Sequence, residues 1–162
     1  MGYNTDWNGE LTLSRKLTPV EQKEWDTIQS ERHDSKYNYG DDKREFPSIW
    51  CGFEVVKVHS DYELGSLSFN NTTIFRWDSG EKTYEGIAWI KFFLNKLKEW
   101  SEKGQRIYAE GEMEWRGEED TDMGRVVIET NKRSTLPNGA FHQQMHIDNV
   151  IFDYQRDITL HI

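Results

Sequence analysis

Cysteine is almost missing from this chain: Cys51 is the only one among 162 residues. A single thiol excludes an internal disulfide and a zinc site built on paired thiolates, and it fits a reducing compartment. Low-complexity linkers are missing too, so residues 1–162 are expected to form one domain. No apolar run approaches the roughly 18 residues a membrane span needs. The opening "MGYNTDWNGE" has neither a basic region nor an apolar signal core, and Asp6 stands where a myristoylation signal requires Ser or Thr. The expected location is therefore the cytoplasm, where the sequons at Asn70 and Asn71 carry no meaning. Positive charge is also short, with 20 Lys and Arg against 29 Asp and Glu, a net charge of -9. That balance argues against nonspecific binding to nucleic acid or to anionic membranes, because phosphates repel carboxylates. It leaves room for a basic protein partner, and it also serves solubility alone.

Catalytic signatures are absent as well. No P-loop, dinucleotide-binding glycine cluster or Gly-x-Ser-x-Gly elbow occurs. Cys51 sits within the apolar stretch "SIWCGFEVVKV" and reads as an inert core thiol. The chain is expected not to be an enzyme and to need no cofactor.

What the sequence does have is aromatic side chains, 14% of the total. Each can bury roughly 150–250 Å², enough for a substantial core despite a mean hydropathy of -0.88. Residues "GELTLSR" alternate Leu11 and Leu13 with polar neighbours, the period of a half-buried strand. Thr18, Pro19 and Glu21 form a capping box with proline at its preferred first position, predicting a helix along "LTPVEQKEWDTIQS". Only Val20, Trp25 and Ile28 are apolar there, so a narrow seam should be buried. Residues 31–47 read as a long charged loop carrying Tyr37 and Tyr39. "SIWCGFEVVKV" reads as a strand, and "LSFNNTTIFRW" as one long strand or two short ones around Asn70 and Asn71.

The spacing of Asp78 and Glu81 suggests a second capping box, with Gly104 as the stop. Between them Gly86, Ile90, Phe93, Leu97 and Trp100 share one face, widened by Ile87, Trp89 and Leu94. A helix of about 22 residues with so broad an apolar stripe should lie across a sheet. Next, "IYAEGEMEWR" alternates Ile107, Ala109, Gly111, Met113 and Trp115 with Tyr108, Glu110, Glu112, Glu114 and Arg116. "GEEDTDMG" makes the turn, "RVVIET" returns, "NKRSTLPNGA" reads as a basic loop, and "FHQQMHIDNVIFDY" and "DITLHI" alternate again. The expected class is α+β: a single-domain antiparallel sheet with one long amphipathic helix packed on it and a shorter N-terminal helix.

"MGYNTDWNGEL", "WDSGEKTYEGIAWIKFFL" and "GEMEWRGEEDTDMGRVVIE" together resemble a loose group of small phage and bacterial proteins of uncharacterised activity. These open Met-Gly-Tyr with Gly-Glu-Leu soon after, and carry a Trp-x-Gly-Glu-Glu hairpin late in the chain. The resemblance touches Met1 to about Glu129 in patches. It transfers no catalytic residue; it implies a phage-associated setting, in which small acidic proteins often bind a host enzyme.

The candidate site is the acidic hairpin. From Tyr108 to Asp122 the chain places seven carboxylates against Arg116 alone. Same-face strand neighbours stand roughly 6.5–7 Å apart, close to successive phosphates of one nucleic-acid strand. Tyr108, Glu110, Glu112, Glu114, Glu118, Glu119 and Asp120 are thus expected to meet a basic host protein, with Trp115 either a contact or core. The plain alternative is a solvated sheet face whose acids deter edge pairing. A calcium loop is not spelled by "EEDTD", which lacks the set spacings, central Gly and closing Glu. A retaining glycosidase needs carboxylates on opposed elements, which one strand cannot supply. His142 and His146 have zinc spacing only on a helix; on a strand they stand roughly 13 Å apart, leaving only His146 and Asp148 to share an ion. No metal is expected. The rival functions are sequestration of a nucleotide signal, for which Arg125, Lys132 and Arg133 are the available cations, and a virion assembly role.

Overall fold

The computed structural model describes residues 4–33, 45–60, 70–80, 83–137, 139–148 and 158–161. Its elements run β1 (Thr5–Leu13), α1 (Pro19–Ser30), β2 (Phe53–Ser60), β3 (Asn70–Trp77), α2 (Gly86–Lys103), β4 (Ala109–Gly117), β5 (Met123–Thr135), β6 (Phe141–Asp148) and β7 (Ile158–His161). The strands form one sheet in the order β2-β3-β1-β4-β5-β6-β7, and every neighbouring pair is antiparallel. The class is α+β. No helix among the described residues is long and apolar enough to cross a membrane.

α1 begins where the capping box predicts, directly after Thr18. Thr18 Oγ1 accepts from the Glu21 N–H at 3.2 Å and Glu21 Oε1 accepts from the Thr18 N–H at 2.8 Å, with Pro19 at the first helical position. Trp25 and Ile28 are buried, but Val20 is 77% exposed, so the seam is narrower than its apolar residues predict. Two α1 side chains close the outer edge of β2. Trp25 Nε1 donates to the Phe53 carbonyl at 3.2 Å and Gln22 Nε2 to that of Val55 at 3.1 Å. With those two carbonyls taken, this end of the edge strand is a poor template for another chain.

α2 joins β3 to β4, the two strands on either side of β1, so it crosses over β1 and buries the aromatic stripe against the sheet. Gly86, Trp89, Ile90, Phe93, Leu94, Leu97 and Trp100 are all buried, and Ile87 is partly so. Phe93 stacks on Phe75 at 4.2 Å between centroids, Phe75 on Phe53 at 5.1 Å, and Trp25 meets Phe93 edge-on at 5.0 Å. This aromatic column joins both helices to the β2 and β3 end of the sheet.

Several expected boundaries move. α2 has 18 residues and starts at Gly86, with Glu85 as N-cap in the left-handed region at φ 56 and no side-chain cap. Asp78 caps nothing; its Oδ1 accepts from the Gly80 N–H at 2.8 Å in a tight turn. Glu81 lies outside the described residues. β2 begins at Phe53, later than the apolar run suggests, because residues 45–50 bend to bring His33 and Phe46 into a ring stack at 3.9 Å. Tyr37, Tyr39, Leu67 and Phe69 lie outside the described residues. The expected basic loop is largely strand: β5 continues through Lys132 and Arg133 to Thr135, with a register shift against β6 between Asn131 and Thr135.

At the sheet centre, Gly9 on β1 (φ 90) and Gly111 on β4 (φ 145) adopt a backbone that side chains rarely tolerate. A Cβ on Gly9 would fall 2.5 Å from the Glu112 carbonyl oxygen, and one on Gly111 would fall 2.5 Å from that of Glu10. The two glycines flank the directly opposed pair Glu10 and Glu112. Close backbone approach at this point is possible only without side chains.

Candidate functional site

β4 alternates as its sequence predicts. Ala109 and Met113 face the helices and are fully buried, while Glu112 and Glu114 are exposed on the opposite side of the sheet and Glu110 is partly covered there. The helix-free face therefore carries a straight row of three carboxylates. Neighbouring strands decide what each one meets. Glu112 lies opposite Glu10 on β1 and Val127 on β5, so a second carboxylate stands beside it. Glu114 lies between Asn8 and Arg125. Glu110 is opposite Thr12 and within 3.7 Å of Lys132 Nζ.

The β4–β5 turn carries Glu118, Glu119 and Asp120, all exposed. It is shaped by the Gly117 N–H donating to the Asp122 carbonyl at 2.7 Å and the Asp122 N–H to that of Glu119 at 2.9 Å. Glu118 Oε1 accepts from the Asn4 N–H at 2.8 Å, which ties the turn to the start of β1. Tyr108 precedes β4 and is half-buried, its ring edge-on to Phe141 at 5.2 Å with Lys132 Nζ 5.2 Å above it. Tyr108 and Glu110 together raise the Lys132 ammonium above its ordinary pKa, the phenol being the larger cause. Trp115 takes the other side: it packs on Trp7 at 5.6 Å and donates to Asp122 Oδ1 at 3.1 Å, so it is not part of the acidic face.

The acid row thus spans β1, β4 and the turn, with Lys132 closing its Glu110 end. Arg116 is exposed on the same side of β4, and Arg76 pairs with Glu54 at 2.8 Å farther along the sheet. Carboxylates of one sign held on a rigid ribbon produce a local field that attracts cationic groups and weakens with salt.

The other candidates from the sequence separate in space. His142 and His146 lie on strand β6, where His146 Nε2 is 3.4 Å from Glu129 Oε2. Among the described residues no three His, Cys, Asp or Glu side chains are placed to hold a metal ion. Cys51 is buried with its thiol 3.5 Å from the Phe53 carbonyl; burial, the largest cause, pushes its pKa up to about 12, and no thiolate nucleophile forms near neutrality. Arg125, Lys132 and Arg133 are spread along β5, and none of them lines the groove between α1 and α2 or a smaller cavity at the start of α2.

Those two cavities were not visible in the sequence. A groove of about 1030 Å³ between α1 and α2 is lined by Ile28, Phe46 and Phe92 and by charged groups, among them Glu24, Lys96 and Glu99, which are engaged with each other. Lys96 bonds Glu24 at 2.7 Å and Glu99 at 3.0 Å, and Glu24 also accepts from Trp100 Nε1 at 3.0 Å. A smaller one of about 320 Å³ sits at the start of α2 beside Trp7 and Trp115. The glycine pair had a signal, an isolated Gly in each of two alternating stretches, which marks close backbone approach. Comparison with family models, curated proteins and solved structures finds no match to this chain.

Proposed function

We propose that this chain is a non-enzymatic accessory protein of phage type that binds and inhibits a basic host protein, of the kind that handles nucleic acid in defence. Its contact surface is the helix-free face of β1 and β4 with the β4–β5 turn. The observation that carries this reading is the opposed pair Glu10 and Glu112, held at the sheet centre by Gly9 and Gly111 and continued by Glu114 and the turn. Like charges placed directly opposite each other on a sheet cost stability. Their placement at the most tightly specified point of the backbone favours a role in recognition over simple solvation. Glu110, Glu112, Glu114, Glu118, Glu119 and Asp120 supply the field; Tyr108, already covered by Phe141 and Lys132, is a rim contact.

The test is capture from host lysate at low and high salt with the wild-type chain and with the variant E112K/E114K/E119K, whose circular dichroism must match wild type. The proposal expects a salt-sensitive partner that the variant loses. Equal capture by both chains contradicts it.

A further inference from the structure

At the end of the sheet opposite the acidic turn, four chain segments converge. Leu13, the last residue of β1, lies opposite Ala109, the first of β4. Thr130 Oγ1 of β5 donates to the Ala109 carbonyl at 3.2 Å, and Thr135 lies opposite Phe141, where β6 begins. Arg15 Nη2 donates to the Gln105 carbonyl at 2.8 Å, which draws the segment after β1 against the one before β4. Three of these segments bring exposed cations to this end: Lys16, Arg106, Lys132 and Arg133. Two rings lie among them. Arg106 Cζ is 5.4 Å from the centre of the Phe141 ring, Phe141 meets Tyr108 edge-on at 5.2 Å, and Lys132 Nζ is 5.2 Å from the centre of the Tyr108 ring. The Arg106 guanidinium has no hydrogen bond or ion pair among the described residues, so its donors are open. A cation resting on a ring has already lost side-chain freedom, and ordering it around an anion costs less.

A net charge of -9 opposes a polyanion, but distance limits that effect here. The nine residues of β4 put roughly 27–30 Å between this end and the acidic turn, about three screening lengths at 0.1 M salt. Glu110 is the carboxylate of the row nearest the cations, 3.7 Å from Lys132. We infer that this end of the sheet binds a short single-stranded nucleic acid. Its phosphates lie along Lys16, Arg106, Lys132 and Arg133, and a base rests on the half-buried rings of Tyr108 and Phe141 or on the guanidinium plane. A duplex suits the site less, since its second row of phosphates would be carried toward Glu110 and Glu112.

The test is fluorescence anisotropy of the full chain with labelled octanucleotides of thymidine and of uridine, the matching duplex and an octaglutamate peptide. A single strand, DNA or RNA, should bind in a saturable way. Three or four phosphate contacts predict affinity falling about 20- to 50-fold between about 50 and about 200 mM salt. The duplex and the peptide should each bind at least tenfold more weakly. R106E/R133E, which reverses two exposed charges, should bind the single strand at least tenfold more weakly while its circular dichroism and Tm match wild type. In ¹H–¹⁵N spectra of the wild-type chain, the single strand should move Arg106, Tyr108, Lys132, Arg133 and Phe141 and leave Glu118 to Asp120 in place. No binding of either single strand at about 50 mM salt overturns the inference, and that reading needs no variant. Equal binding of the duplex or the peptide overturns it too, as do shifts centred elsewhere or full-strength binding by a folded R106E/R133E chain.

Discussion

Glu21 takes part in two local structures at once. Its carboxylate closes the α1 capping box and accepts both arms of the Arg15 guanidinium, at 2.7 and 3.0 Å, with both side chains largely buried. Burial alone would raise its pKa, but the hydrogen bonds from Arg15 and from the Thr18 N–H outweigh that and hold it below 4.5. A carboxyl whose pKa is lower folded than unfolded stabilises the fold above the unfolded value, and that stability is lost as pH falls through the folded value. Unfolding followed from pH 7 to 3 should therefore show stability declining below about pH 4.5, with a shallower decline in Glu21→Gln. Glu21→Ala, which loses the cap and leaves Arg15 without its partner, should cost about 2–4 kcal/mol in denaturant titration. Gly111→Ala tests the central backbone approach. Its φ of 145 and a Cβ 2.5 Å from the Glu10 carbonyl predict a loss of at least about 2 kcal/mol, read as a lower Tm. A change within about 0.5 kcal/mol would show that the strands can separate there.

Within the elements, β4 presents a conflict between stability and charge. Replacing Glu112 by Lys puts opposite charges across from each other at Glu10 and should stabilise the sheet by about 0.2–1 kcal/mol. The same change should weaken partner capture, so higher stability with lower binding is the expected outcome, and a variant that loses both would place Glu112 in a structural role. Much of this element was legible in the sequence, because a period of two assigns faces wherever one side is covered. α1 was legible from Thr18, Pro19 and Glu21, whose capping chemistry is local. The start of α2 was not: Asp78 and Glu81 have the spacing of a cap, but the helix begins where Gly86 fits under Trp7, a contact between residues far apart in sequence. β5 ran past its expected end for a similar reason, since pairing with β6 at Asn131 and again at Thr135 holds the strand on both sides of the bulge that contains Lys132 and Arg133, despite their loop-like composition. Of the candidate site, the row from Glu110 to Glu114 was readable. Its partner Glu10 depended on strand order, which no local pattern encodes.

Over the whole molecule, one sheet has two different surfaces. The helices and their aromatic column cover one, and the acids of β1 and β4 occupy the centre of the other. A net charge of -9 adds a long-range field to that row. If recognition is electrostatic, association should slow steeply with salt while dissociation changes little. The most direct measurement is the affinity of the captured partner for wild type and for E112K/E114K/E119K across 50 to 500 mM salt, approximate limits set by screening lengths of roughly 14 to 4 Å. A recognition face built from these carboxylates predicts wild-type affinity falling at least tenfold over that range and variant affinity that is weak throughout. Affinity that is flat with salt and equal in the two chains would contradict it.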